Sequence, residues 1–211
     1  MPYAELLSVL SGLACVGLTV KQHEACWPVG IANNAFLSVI CLQDQLYALL
    51  VLQQIYIALG LYGWWQWRYA AAFAPTVENP FREERSSTRS LPVSRTPAWA
   101  WVTLALLTPV AWLGLAAGLQ WAAHSLQQEP PAHLLWDSAT AVACLAAQWL
   151  LTRKWIETWP IWIATNVSYL LLYAVQDRYL LALVQLAFIG LSIQGWREWS
   201  RSRCEASEPA G

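Results

Sequence analysis

Trp159, Trp162 and Asn166 lie in the stretch WPIWIATN, which is otherwise apolar enough for a membrane helix. At about 100° per residue these three positions fall within about a 60° arc of a helix surface. Two indoles and an amide on one face can do specific chemistry. Indole faces stack on flat rings and attract cations by roughly 0.5–2 kcal/mol. A carboxamide both donates and accepts hydrogen bonds. Such a face could meet a ligand. The plainer alternatives are an interfacial tryptophan belt and a polar seam between helices, where each bond is worth only about 0.6 kcal/mol.

Other residues have the same character. Asn33, Asn34, Gln53 and Gln185 are amides inside apolar runs. For Asn34 and Gln185, ligand binding and helix–helix bonding weigh equally. Gln53, Tyr56, Gly60 and Trp64 share a helical face by their i, i+3, i+7, i+11 spacing. Asp137, in WDS, opens a span; it either caps that helix or attracts a cationic substrate. Trp65, Trp67, Trp99, Trp101, Trp121 and Trp199 fall near span ends and read as an interface belt.

The elements that must carry these groups are membrane spans. The 211 residues are 57% hydrophobic and 12% charged, against about 25% charged in a soluble domain. Apolar runs occupy about 4–20, 26–42, 47–67, 97–121, 133–151, 159–175 and 179–196. Several approach the lower limit of about 17 residues for crossing. The first run has Glu5 where a secretory leader would be basic, and reads as a retained helix. Pro28 and Pro160 suit first helical turns. The Pro- and Arg-rich 68–96 segment reads as a surface loop. With seven spans and the N-terminus outside, every Lys and Arg of the 12 except Arg178 lies on the cytoplasmic side.

Several chemistries find no support. Net charge is −1, which offers nothing to nucleic acid. The five cysteines, Cys15, Cys26, Cys41, Cys144 and Cys204, are odd in number and lack CxxC spacing. No phosphate-cradling GxxxxGK[ST] loop occurs. No acid sits mid-span where an ion relay would need one. Neither a metal, a cofactor nor a catalytic pair is expected, so the chain does not read as an enzyme.

Residues 27–67 slide onto 159–199 without a gap, giving 13 identities over 41 positions. Among them are Trp27/Trp159, Pro28/Pro160, Asn34/Asn166, Gln53/Gln185, Gly63/Gly195 and Trp67/Trp199. The expected fold is therefore an all-α membrane protein of two parallel three-helix bundles. Repeat 1 spans about 4–67, a linker helix about 97–121, and repeat 2 about 133–199. Transporters built from repeats bind substrate near the midplane, where the repeats meet.

LYALLVLQ at 46–53, YGWWQW at 62–67, WDS at 136–138 and TRKWIETWPIWIATN at 152–166 resemble the PnuC family of bacterial vitamin transporters. The similarity spans nearly the whole chain outside the termini and the 68–96 loop. It implies the three-plus-one-plus-three fold and an inner-membrane carrier importing nicotinamide riboside by facilitated diffusion. A separate cytoplasmic kinase would trap the substrate. It implies substrate roles for Asn166 and Gln53, and leaves open which of Asn33 and Asn34 faces the site. Relatives that carry thiamine or riboflavin share much of the pattern, and a non-transporting receptor or scaffold is the alternative of another class. The expected partners are the vitamin and the lipid bilayer, with no nucleic acid; assembly into a homo-oligomer is left open.

Overall fold

The computed structural model describes residues 2–43, 47–69, 91–125, 127 and 133–207. Among these, seven helices follow one another: α1 (Pro2–Val20), α2 (Cys26–Gln43), α3 (Tyr47–Tyr69), α4 (Ala98–Ser125), α5 (Leu134–Thr152), α6 (Thr158–Val175) and α7 (Tyr179–Ser207). Their bounds track the apolar runs, except that α7 continues past its apolar part into a polar tail. By length and apolarity α2, α4, α5 and most of α7 are fit to cross a bilayer, and α1 adds a shorter apolar run, Leu7–Val20. The two helices left out, α3 and α6, carry the three tyrosines of the cavity described below, Tyr56, Tyr169 and Tyr173.

Consecutive helices pack within each triplet, α1 on α2 and α2 on α3, then α5 on α6 and α6 on α7. The triplets meet through α1 on α7 and α3 on α5, while α4 lies along α5. Two parallel triplets joined by a connecting helix make this pattern. Side chains facing outward are large and apolar, among them Leu106, Val110 and Leu180. In a bilayer such a surface meets lipid.

The repeat extends further upstream in space than the sequence identities do. Gln22 and Lys154, 132 residues apart, both take a left-handed backbone, with φ of 56° and 52°. Each closes its helix alike: His23 N–H bonds Leu18 O at 2.9 Å, and Trp155 N–H bonds Leu150 O at 3.1 Å. This six-to-one bond around a left-handed residue ends a helix and turns the chain. The same two positions are tied in each repeat but with the bond reversed: Cys15 Sγ donates to Cys26 O at 3.2 Å, whereas Thr158 Oγ1, the counterpart of Cys26, donates to Ala147 O at 2.8 Å.

The buried core sits at one end of the molecule, around Val20, Cys26, Trp27, Trp67, Leu151, Ile156, Trp159 and Trp199. This corrects the belt reading of Trp67 and Trp199, which are 1% and 0% exposed. Their indoles lie where the triplets cross, and no lipid reaches them. Trp65, Trp99, Trp101 and Trp121 are exposed, as belt residues would be.

Most of the 68–96 segment lies outside the described residues, but its end is not a free surface loop. Ser94 pairs with the α5–α6 turn through Ser94 N–H to Lys154 O at 3.1 Å and Ile156 N–H to Ser94 O at 3.0 Å. Val93 is buried in the core cluster. The Glu157 carboxylate accepts from both the N–H and the hydroxyl of Thr96, at 2.9 and 2.7 Å. Asp44 falls outside the described residues; Asp177 lies in the α6–α7 turn.

Candidate functional site

A cavity of about 350 Å³ lies between the two triplets, reached by every helix except α4. Its most chemical wall is α6. Trp162, Asn166, Tyr169 and Tyr173 line it at spacings of four, three and four residues. That spacing keeps one face of a helix turned to one place. Tyr169 and Tyr173 stack with ring centroids 6.0 Å apart and 18° between planes. Among the described residues the Asn166 carboxamide has no hydrogen-bond partner, so its donors and acceptor remain available to a ligand.

From α2 come Asn33 and Asn34. Asn33 Oδ1 accepts from Ser11 Oγ on α1 at 2.9 Å, so that amide is partly spent on holding α1 to α2. The Asn34 side chain has no such bond among the described residues. It is the repeat counterpart of Asn166, and the two amides face one cavity. Tyr56 on α3 is matched by its counterpart Phe188 on α7, and Gln185 and Gln148 add further amides. Among the described residues that line it there is no Lys, Arg, His, Asp or Glu. The cavity is thus an aromatic and amide chamber without a formal charge.

One end of this chamber is shut by four tryptophans in a row. Trp27 meets Trp67 edge-on at 5.3 Å, Trp67 meets Trp199 at 6.0 Å, and Trp199 meets Trp159 edge-on at 5.3 Å. Trp27 and Trp159 also line the chamber. The inner pair hold the triplets together by exchanged bonds. Trp67 Nε1 donates to Leu151 O and Trp199 Nε1 donates to Thr19 O, each at 3.2 Å. Thr19 and Leu151 are themselves repeat counterparts, so the closure has the two-fold symmetry of the chain. Lys154 lies over the Trp67 ring at 4.4 Å and reaches Gln22 Oε1 at 3.5 Å. This end carries Lys21, Arg68, Arg153 and Lys154. The packing closes the chamber there, whereas Val175, Tyr179 and Leu180 at the opposite end are exposed.

Of the residues singled out from sequence, the structure brings Trp159, Trp162, Asn166, Tyr56, Asn33, Asn34 and Gln185 to this one chamber. Gln53, Trp64 and Asp137 are not among its lining residues. Trp64 packs against the core cluster instead. Gln53 Oε1 is buried and has no hydrogen-bond partner among the described residues. Asp137 lies in the first turn of α5, whose N-cap is His133. Tyr169 and Tyr173 escaped the sequence reading, although they continue the 159–162–166 stripe by three and four residues. Trp27 escaped as well, although the repeat pairs it with Trp159.

The comparisons with known proteins agree with this architecture. The family described as nicotinamide mononucleotide transporter matches residues 2–201. The nicotinamide riboside transporter PnuC of Escherichia coli K12 is 30% identical over 225 residues, covering 100% of this chain and 90% of the relative. The protein of the same name from Neisseria mucosa is 22% identical over 202 residues, covering 92% of this chain and 71% of the relative. A crystal structure of the vitamin B3 transporter PnuC superposes with a TM-score of 0.66 at 18% identity, over 97% of this chain and 83% of the other, a likeness of fold. The chain therefore belongs to the nicotinamide mononucleotide transporter family, a family of multi-pass membrane transporters and not of enzymes.

Proposed function

We propose that the protein imports nicotinamide riboside by facilitated diffusion through the chamber between its triplets. The observation that carries this reading is the α6 stripe of Trp162, Asn166, Tyr169 and Tyr173 facing unpaired amides in a chamber with no charged lining residue. A pyridinium ring can stack between aromatic faces that also attract its positive charge. Ribose hydroxyls and a carboxamide pair with Asn34, Asn166, Gln148 and Gln185. A phosphate would enter this chamber with no cation to meet it, at the high cost of desolvating an unpaired charge. That favours a nucleoside over a nucleotide as cargo. The relatives named for nicotinamide riboside support the same choice.

Transport then requires the two triplets to rock about the site, opening one end as the other shuts. Nothing in the chain points to an energy source, so capture inside the cell would fall to a separate kinase that phosphorylates the substrate. Proteoliposomes should equilibrate labelled nicotinamide riboside without concentrating it, even under an imposed proton or sodium gradient. Trp162→Ala should weaken binding by about ten-fold, the worth of one stacked cation–π ring. Asn166→Leu should do as much or more, because an amide lost from a buried polar pair costs about 1–3 kcal/mol. Full affinity in both folded variants would remove α6 from the site, and gradient-driven accumulation would reveal a coupling residue.

We place the shut, basic end in the cytoplasm, with the N-terminus outside, because basic residues are retained there. A cysteine at Ser87 should then resist a membrane-impermeant thiol reagent in intact cells and react once the membrane is opened. Strong labelling in intact cells would invert the topology.

A further inference from the structure

The two triplets match at the closure, yet their chamber walls do not match. Counterparts 132 residues apart can be compared position by position. Trp27 and Trp159 agree, as do Asn34 and Asn166, and both pairs line the chamber. By contrast, the counterpart of Trp162 is Gly30, and the counterparts of Tyr169 and Tyr173 are Leu37 and Cys41, which are not among the lining residues. The aromatic stripe continued by Trp162, Tyr169 and Tyr173 therefore exists on α6 and has no copy on α2. Where α2 would present an indole, it presents a hydrogen atom.

The space left by Gly30 is bounded by a specific neighbour. A Cβ on Gly30 would stand 3.1 Å from Cys15 Sγ on α1, so one added carbon already presses on that wall. A Cβ on Gly12, one helical turn away, would stand 3.5 Å from Phe188. Small residues on α1 and α2, Gly12, Cys15 and Gly30, therefore make a narrow half-chamber, edged by Trp27 and Phe188. Its polar groups are the Asn34 amide, the amino group of Asn33, and Thr19, whose hydroxyl donates to Cys15 O at 2.9 Å.

We propose that Gly30 and Cys15 form the specificity filter for the part of the substrate that is not a flat ring. The ring lies on the α6 wall, and a compact hydroxylated group, such as a ribose, fills the half-chamber against Gly30 and Cys15. This rests on the carrier reading above and deepens it. Because the walls differ, the ligand has one orientation, although the protein's closure is two-fold symmetric. The filter's tolerance is set by side-chain volume: anything larger than the sugar meets Cys15, and anything added to Gly30 meets the sugar.

The test uses two probes that share a charged ring. Nicotinamide riboside carries the sugar; 1-methylnicotinamide keeps the pyridinium and replaces the sugar by a methyl group. Gly30→Leu fills the half-chamber from α2, and Cys15→Leu fills it from α1 without altering a helical glycine. Binding is measured by calorimetry on detergent-solubilised protein whose melting confirms folding. Both variants should weaken the riboside by about ten- to hundred-fold, the range expected for overpacking. Binding of 1-methylnicotinamide should change by less than about three-fold, well under the ten-fold that 1.4 kcal/mol represents. Trp162→Ala should weaken both probes. Unchanged riboside affinity in a folded variant, an equal loss for both probes, or failure of the wild type to hold the methyl compound would each overturn the filter. If the wild type binds riboflavin and not the riboside, the carrier reading fails on substrate alone. The filter is then tested with riboflavin against lumichrome, its ring without the ribityl chain. A wild type that binds neither pair overturns both.

Discussion

Gly63→Ala and Gly195→Ala should each lower the apparent melting temperature of the solubilised protein by about 5–10 °C. A Cβ built on Gly63 lands within the indole of Trp27, and one on Gly195 lands within the indole of Trp159. Neither ring has room to retreat, since Trp27 and Trp159 are 3% and 1% exposed and stand edge-on against Trp67 and Trp199. Overpacking of this kind costs about 1–3 kcal/mol or more. At about 2–4 °C per kcal/mol for a chain of this length, the shift is large. Controls come from the same helix type. Gly114, Gly118 and Gly190 have no neighbour near an added Cβ, and there alanine should be neutral or stabilising, because glycine weakens a helix interior by about 1 kcal/mol. Trp27 and Trp159 also line the chamber, so the two destabilised variants should lose substrate affinity. Trp27→Leu in the Gly63→Ala background should recover part of the melting temperature. Parity between Gly63→Ala and Gly114→Ala in a thermal scan would show that the rings are free to move.

The contrast between these glycines shows which information the sequence carried. Both closure glycines appear in the repeat alignment, each four residues before a tryptophan of its own helix and paired across repeats, so their importance was visible. Their purpose was not, because nothing in a single helix says that an indole from the neighbouring helix arrives there. Trp67 and Trp199 failed for the same reason. A tryptophan at a span end matches an interfacial belt until the crossing of α3 on α5 and of α7 on α1 puts it inside. Span positions were legible because lipid demands long apolar runs, and these survive without tertiary knowledge. The α6 face was legible at Trp159, Trp162 and Asn166. It could have been followed to Tyr169 and Tyr173, but tyrosines in an apolar run also suit a membrane interface. The docking of Leu91–Thr96 on the α5–α6 turn was hard to see in hydropathy, since only Leu91 and Val93 bury apolar surface and the rest is backbone pairing and Glu157.

Lys154 is where positional rules mislead most, and replacing it should have the other large effect. A lysine in a short basic turn reads as a solvated cytoplasmic charge. In the structure it is 0% exposed. Burial pushes its pKa from 10.5 down to about 8, against an opposing pull from Cys26 and Glu24. Its contacts are the Trp67 face and one long bond to Gln22. A shift of this size corresponds to about 3 kcal/mol of cost for holding the charge, at 1.36 kcal/mol per unit. The indole returns about 0.5–2 kcal/mol. The sign follows from the direction of the shift. The unfolded chain keeps the proton up to about pH 10.5 and the folded chain only to about 8. Between those values the unfolded state binds more protons, so stability should rise with pH across that window. Below about pH 8 the cost is fully present. Lys154→Met, or Lys154→Gln, which copies the repeat counterpart Gln22, should therefore raise the melting temperature at pH 7 by a few degrees and flatten the rise above pH 8. Because Lys154 lies against Trp67 and Gln22, where the proposed rocking would part the triplets, a costly charge there would limit how firmly the basic end shuts. The substituted carriers should stay shut longer at that end and turn over more slowly in proteoliposome exchange, with substrate affinity near wild type. A lower melting temperature together with an unchanged pH profile would mean instead that the ammonium is a net stabilising tie, and opening would then have to break it.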